Sequence, residues 1–232
     1  MIAVTFDYGQ TLAELDTTLL SARARERGVD APVAALDAAV PGGFAEYDAA
    51  KRRGESGEEA WSALIGAVLR GAGATPGGTA VDDLVRFLWT QQPHRNLWRR
   101  LIPGMKELVA DLARAGVPLA IVSNSEGHLV ELLEEVSLRS WFPVVADSGV
   151  LGIEKPDRGI FEYAAAGLGV PLSSLIHVGD AWVADIEGAL AVGARAVWIT
   201  RSPPGGALPA GVLRAASAAE LRSALRALGV PA

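Results

Sequence analysis

Cysteine is absent from the 232 residues, which excludes disulfides, thiolate nucleophiles and cysteine-ligated metal sites. A surplus of positive charge is absent too. Lys and Arg number 21 against 27 Asp and Glu, the net charge is -6 and the pI is near 5.2. With the arginines scattered rather than striped, the chain lacks the basic field that counterion release on nucleic acid requires. No window approaches the length of a transmembrane helix, and the opening MIAVTFDYG has no basic stretch leading into a long apolar run. These absences predict a cytoplasmic protein that engages neither nucleic acid nor membrane. Internal repeats are missing as well.

What is present is ordinary for a folded enzyme: half of the residues are hydrophobic and 21% are charged, enough to bury a sizeable interior in one large domain or in a core with an insertion. Residues 2–6 form a β-branched and aromatic run that suits a buried parallel strand, ending at Asp7. Between residues 15 and 96 the pattern predicts helices only, at 18–27, 58–70 and 81–90, broken by Gly and Pro clusters. After Pro103 strands and helices alternate. Strands are predicted at 119–122, 144–146, 175–178 and 196–199, and helices at 104–115, 129–136, 159–166 and 183–191. Residues 201–211, rich in Pro and Gly, read as a loop before a last helix at 218–228. Such alternation predicts an α/β fold with a doubly wound parallel sheet, whose ligands bind beyond the carboxyl ends of the strands.

Those strand ends carry the polar residues. The first ends in Asp7 with Thr11 four residues on, the second in Ser123-Asn124, and the fourth in Gly179-Asp180 with Asp185 five further, while Lys155 lies in the loop 152–157. Each alone is a common turn or cap residue. Together they bring carboxylates for a hard cation, a hydroxyl and an ammonium group to one rim of one sheet, the set that phosphoryl transfer needs.

The segments FDYGQTL, IVSNS, GIEKPDRGIF and HVGDAWVADIEGALAVGARAVWI resemble, in order, the four motifs of the haloacid dehalogenase superfamily. The resemblance implies a Rossmann-like core at residues 1–14 and 97–232. It also implies a helical cap domain at 15–96 that closes over the site and selects the substrate, with Tyr47, Lys51, Arg52, His94 and Arg95 as candidate contacts. It implies a Mg²⁺-dependent phosphohydrolase of small phosphorylated metabolites, monomeric or homodimeric. Asp7 would attack phosphorus and become an aspartyl phosphate. Mg²⁺ would be held by Asp7, the Gly9 carbonyl and Asp180, with Asp185 in the first or second coordination shell. Ser123 and Lys155 would bind and polarise the phosphate, and Thr11 and Asn124 would complete the cradle.

The chain departs from the family's pattern two residues past the nucleophile, where active phosphatases carry a second Asp as acid and base and this sequence has Gly9. Gln10 follows where Gly is usual. Neither Tyr8 nor Gln10 titrates near neutrality, so the departure favours slow turnover or easily expelled leaving groups. Competing readings are a phosphate- and metal-binding protein with impaired catalysis, a 2-haloacid dehalogenase, and a phosphonate hydrolase using Lys51 as a Schiff base. The dehalogenase reading is weakened by Asp180 and Asp185, which would repel a carboxylate substrate. The phosphonate reading is weakened by the run Lys51-Arg52-Arg53, which reads as solvated charge.

Overall fold

The computed structural model describes residues 1–55, 57–76, 80–200 and 206–232. It comprises two compact units, Met1–Leu15 with Trp98–Ala232, and Asp16–Leu97. No helix among the described residues is long and apolar enough to cross a membrane.

The first unit is built on six parallel strands: β1 (Ala3–Phe6), β2 (Leu119–Ser123), β3 (Val144–Asp147), β4 (Leu175–Gly179), β5 (Arg195–Ile199) and β6 (Val212–Ala215). Their order across the sheet is β6-β5-β4-β1-β2-β3. The fold is therefore the predicted α/β type with a doubly wound parallel sheet. Alternation along β1 divides its side chains between two apolar layers. Val4 and Phe6 join a core with helices α1 (Met105–Arg114), α2 (Leu129–Glu135) and α4 (Ala218–Ala227), whereas Ala3 packs on the opposite face with α3 (Arg158–Leu168) and residues 186–194. β1, β2 and β4 are buried along their whole length, as strands covered on both faces must be. The chain leaves β1 for β2 and β3 on one side and returns to β4 on the other, so a crevice opens where β1 and β4 diverge. Asp7 stands there: its amide donates to the Val178 carbonyl at 2.8 Å, carrying the β1–β4 ladder one residue past the strand.

Two differences from the sequence reading have physical causes. β6 is not predicted, because Val-Leu-Arg-Ala follows a Pro- and Gly-rich stretch and only its pairing with β5 reveals it. Residues 201–205 of the predicted loop lie outside the described residues. The predicted helix at 183–191 divides into a π-helical turn, Trp182–Glu187, and an α-turn, Gly188–Ala191.

The second unit contains helices Thr17–Glu26, Val33–Arg52, Glu58–Gly71 and Val81–Gln91, with two short strands, Val29–Asp30 and Thr75–Pro76, paired antiparallel. The two strands correct the expectation of helices alone. The helix Val33–Arg52 is also unexpected, since Pro41, Gly42 and Gly43 lie inside it. Packing against the helix Glu58–Gly71 overrides that local signal. A Cβ at Gly43 would fall 2.3 Å from Val68 Cγ2, so this glycine lets the two helices approach, whereas one at Gly42 would meet nothing within 4 Å. Gly43→Ala is therefore expected to destabilise the protein by about 1–3 kcal/mol, while Gly42→Ala, in an exposed helical position, should stabilise it by about 0.5–1 kcal/mol. Urea denaturation of both variants checks this, and a Gly43→Ala protein as stable as its parent would contradict the close helix contact.

Candidate active site

The carboxyl ends of β1, β2 and β4 bring four side chains into direct contact. Ser123, the last residue of β2, donates from Oγ to Asp7 Oδ1 at 2.8 Å. Lys155 Nζ donates to the same oxygen at 2.7 Å and to Asp185 Oδ1 at 2.6 Å. Asp7 Oδ2 receives no hydrogen bond among the described residues. Lys155 and Asp185 are 4% and 0% exposed, and Asp7 8%. So tight an arrangement of buried charges is a weak source of stability, since desolvation offsets the attraction.

Local structure fixes each member. Lys155 is presented by Asn124, whose carboxamide accepts from the Lys155 amide at 2.8 Å and donates to its carbonyl at 3.1 Å. This contact leaves one Nδ2 proton of Asn124 uncommitted. The loop between β2 and α2 is tied down by Asp147 at the end of β3, which accepts from Ser125 Oγ at 2.7 Å, Gly149 N at 2.9 Å and Leu129 N at 3.0 Å. Asp185 lies in the π-helical turn, where it and Ala181 hold each other reciprocally: the Ala181 amide donates to Oδ2 and the Asp185 amide to the Ala181 carbonyl, both at 2.8 Å. The Asp185 carboxylate occupies the space a side chain at 179 would need, since a Cβ there would lie 2.2 Å from Asp185 Cγ. Asp180 follows directly, its carbonyl accepting from Trp198 Nε1 at 2.8 Å.

After Asp7 the chain turns sharply, with Leu12 N and Ala13 N both donating to the Tyr8 carbonyl. Gln10 takes the left-handed conformation, φ +53°, which costs a non-glycine residue about 1–2 kcal/mol. Thr11 is wholly buried and its hydroxyl has no partner. Tyr8 is fully engaged, donating to the Trp98 carbonyl at 2.9 Å, and burial raises its phenol further out of useful range. Gly9 is not in the left-handed region, and a Cβ on it would lie 3.5 Å from the Trp98 ring, an ordinary contact. The turn thus has room for a side chain at position 9.

One carboxylate oxygen from each of Asp7, Asp180 and Asp185 lies within 4.8 Å of the others, an acidic cluster able to hold a metal ion. The electrostatics agree with that use. Burial raises the Asp180 carboxyl well above its ordinary value, and the charges of Asp7 and Asp185 add to it. Burial likewise raises Asp7 despite the opposing Lys155. For Asp185 burial is outweighed by Lys155 and by a hydrogen bond from His177, which hold it well below the carboxylate range. The Lys155 ammonium, pulled down by burial, is raised by the two carboxylates it touches. Three carboxylates around one ammonium leave an excess of acidic groups, and all-oxygen donors suit a hard divalent cation.

Of the second unit's candidates, Lys51 and Arg52 are exposed at the end of the helix Val33–Arg52, and Tyr47 is half-buried on it. His94 is exposed, and Arg95 forms an ion pair with Glu26 at 2.9 Å.

Residues 3–193 match the family model described as haloacid dehalogenase-like hydrolase. The chain belongs to this family. Among its relatives, haloacid dehalogenase-like hydrolase domain-containing protein 3 of Xenopus laevis is 30% identical over 162 residues, 69% of this chain and 65% of that protein. The phosphoserine phosphatase of Thermus thermophilus is 36% identical over 102 residues, 44% of this chain and 41% of that protein. The chain thus spans less than two thirds of the length of these relatives. Among solved structures, the magnesium-bound HAD-hydrolase YfnB of Bacillus subtilis has a TM-score of 0.74 at 20% identity, covering 97% of this chain and 98% of that one.

Two polar residues of this haloacid dehalogenase-like hydrolase carry structural roles that the motif reading does not include. His177 and Asp147 are wholly or almost wholly buried, and a lone His inside the apolar run LIHVG is the signal that could have raised the first. Glu126, on the loop after β2, has its carboxyl pushed up to about 7 by burial, with the Asp147 charge adding to it.

A carboxyl whose pKa is higher folded than unfolded binds its proton more tightly in the native state. It therefore subtracts stability at neutral pH and returns it as the pH falls through its folded value toward the ordinary 3.8. Asp180→Asn, neutral throughout, is expected to raise the Tm of the cation-free protein at pH 7 by about 2–4 °C, the effect of about 1 kcal/mol in a chain of this size. The gap should narrow as the pH is lowered toward 4. Thermal melts in chelator at several pH values check this, and a lower Tm for the variant at pH 7 would contradict the electrostatic reading.

Proposed function

We propose that the chain is a Mg²⁺-dependent phosphohydrolase of small phosphorylated metabolites that works through an aspartyl phosphate on Asp7. The observation that carries this reading is the asymmetric treatment of the Asp7 carboxylate: Lys155 and Ser123 both bind Oδ1, while Oδ2 stays without a donor. A carboxylate so held has a fixed direction and one oxygen left to attack. The phosphatase relative and the magnesium-bound structural neighbour support the same chemistry.

The cation is assigned to Asp7, Asp180, Asp185 and the Gly9 carbonyl, and when bound it offsets the repulsion between an anionic nucleophile and an anionic phosphate. Lys155, drawn between Asp7 and Asp185, would share its charge with the transferring phosphoryl oxygens, and Ser123 would donate to one of them. The orphaned Thr11 hydroxyl and the remaining Asn124 proton are further donors for the cradle. The second unit, Asp16–Leu97, would act as the cap that selects the substrate.

Asp7→Asn is nearly isosteric but cannot attack phosphorus, so it should reduce Mg²⁺-dependent hydrolysis of p-nitrophenyl phosphate by more than about 10³-fold with the fold retained. Comparable steady-state rates for variant and parent would remove Asp7 from the mechanism. A parent that binds Mg²⁺ in calorimetry but turns over no member of a broad phosphoester and phosphoanhydride panel would instead be the binding protein.

Gly9 supplies no proton to the departing oxygen, and Tyr8 is engaged and raised out of range. Acyl phosphates or p-nitrophenyl phosphate should therefore be hydrolysed much faster than alkyl phosphates of similar size. Because the turn has room for a Cβ, Gly9→Asp is expected to speed alkyl esters most, by up to about 10²–10⁴-fold. A plot of log kcat/KM against leaving-group pKa tests this, steep in the parent and flatter in the variant. Equal shallow slopes would mean that another group supplies the proton, Glu126 being a titratable candidate near neutrality.

A further inference from the structure

We propose that His177 is a positioning residue for this site: held by Thr5, it fixes Asp185 and through Asp185 sets Lys155 against Asp7. The proposal rests on the reading of Asp7 and Lys155 given above.

Thr5 of β1 and His177 of β4 are register partners in adjacent parallel strands. They project to the same face, opposite the one that takes Val4, Phe6, Ile176 and Val178 into the core. Both are wholly buried. The imidazole touches polar groups on both sides, with Thr5 Oγ1 at 2.8 Å from Nδ1 and Asp185 Oδ1 at 3.0 Å from Nε2. The Phe161 ring meets it edge-on, with centroids 5.3 Å apart and planes at 90°. The ring therefore has little freedom to turn.

The chemistry of the partners assigns the protons. An ionised carboxylate only accepts, so Nε2 carries hydrogen and donates to Asp185. Nδ1 then accepts from the Thr5 hydroxyl, a group able to donate in that direction. Asp185 consequently receives three donors: His177 Nε2 and Lys155 Nζ on Oδ1, and the Ala181 amide on Oδ2. Without the imidazole, Lys155 would pull on Asp185 against the Ala181 amide alone. Because Lys155 Nζ is suspended between Asp185 and Asp7, a displaced Asp185 moves the ammonium and with it the direction of the nucleophile. The chain of contacts runs Thr5, His177, Asp185, Lys155, Asp7, and only its last two members would touch the phosphate.

The test joins spectroscopy on the metal-free protein to kinetics with Mg²⁺ and p-nitrophenyl phosphate. Long-range ¹H–¹⁵N correlation should show His177 protonated on Nε2 and bare on Nδ1, and the Lys155 ammonium should give a slowly exchanging signal that His177→Leu abolishes. In kinetics, His177→Leu should lower kcat about 10- to 100-fold with little change in KM, the scale typical of groups that orient an active-site ligand from behind. His177→Gln, whose amide can still donate to Asp185, should restore most of that loss, and Thr5→Val should show a smaller loss of the same kind. If the Leu variant fails to fold, the Gln and Val variants carry the comparison, and parental values for Thr5→Val would then overturn the proposal. A proton on Nδ1 with Nε2 bare would also overturn it. So would a folded His177→Leu protein with parental kcat, or Gln rescuing no better than Leu, which would make the ring a space-filler. If the parent hydrolyses nothing, the phosphohydrolase reading fails while the tautomer and the Lys155 signal still decide the role of His177.

Discussion

The Lys155 ammonium, enclosed between Asp7 and Asp185 at 2.7 and 2.6 Å, is the contact on which the rest of the site depends. Two carboxylates this close to one another in a buried setting repel strongly, and the ammonium between them offsets that repulsion. Its presence in turn dictates what surrounds it. Asn124 holds the Lys155 backbone, Gly179 clears space for Asp185, and Ala181 with the π-helical turn keeps that carboxylate aimed. The site is thus not a set of independent residues at the sheet's rim. It is one charge arrangement with its supports.

That arrangement remains unbalanced. Asp180 adds a third carboxyl that the single ammonium cannot serve, and burial, reinforced by the charges of Asp7 and Asp185, raises its pKa. A fold selected only for stability would place a neutral side chain there, as stability and function often conflict at active sites. The imbalance is the physical ground for assigning a cation to the cluster.

Much of the core was legible in the sequence because buried parallel strands are short apolar runs and their covering helices keep a 3.6-residue period. Asp7, Ser123 and Asp180 stood out because each closes or directly follows such a run, whereas Lys155 and Asp185 lie in a loop and a helical turn and were legible only through the motifs around them. What escaped the sequence depended on partners far along the chain. β6 is defined by its pairing with β5. The helix Val33–Arg52 contains Pro41-Gly42-Gly43, a local breaker overridden by contact with Val68. The part played by Asn124 needs Lys155 beside it, and that of His177 needs Thr5 across the sheet. Spacing along a chain does not encode strand register, and these roles follow from register.

The central position of β1 also bears on how the chain is made. Thr5 is made 172 residues before its partner His177, which at ordinary ribosomal rates is a wait of roughly 10–30 s. Throughout that interval Ala-Val-Thr-Phe is an apolar strand whose β4 edge has no partner, and an open hydrophobic edge invites pairing with other chains. The strand that leads into Asp7 is therefore also a segment whose exposure during translation must be tolerated. A nascent-chain holdase or early closure against β2 would shorten that exposure.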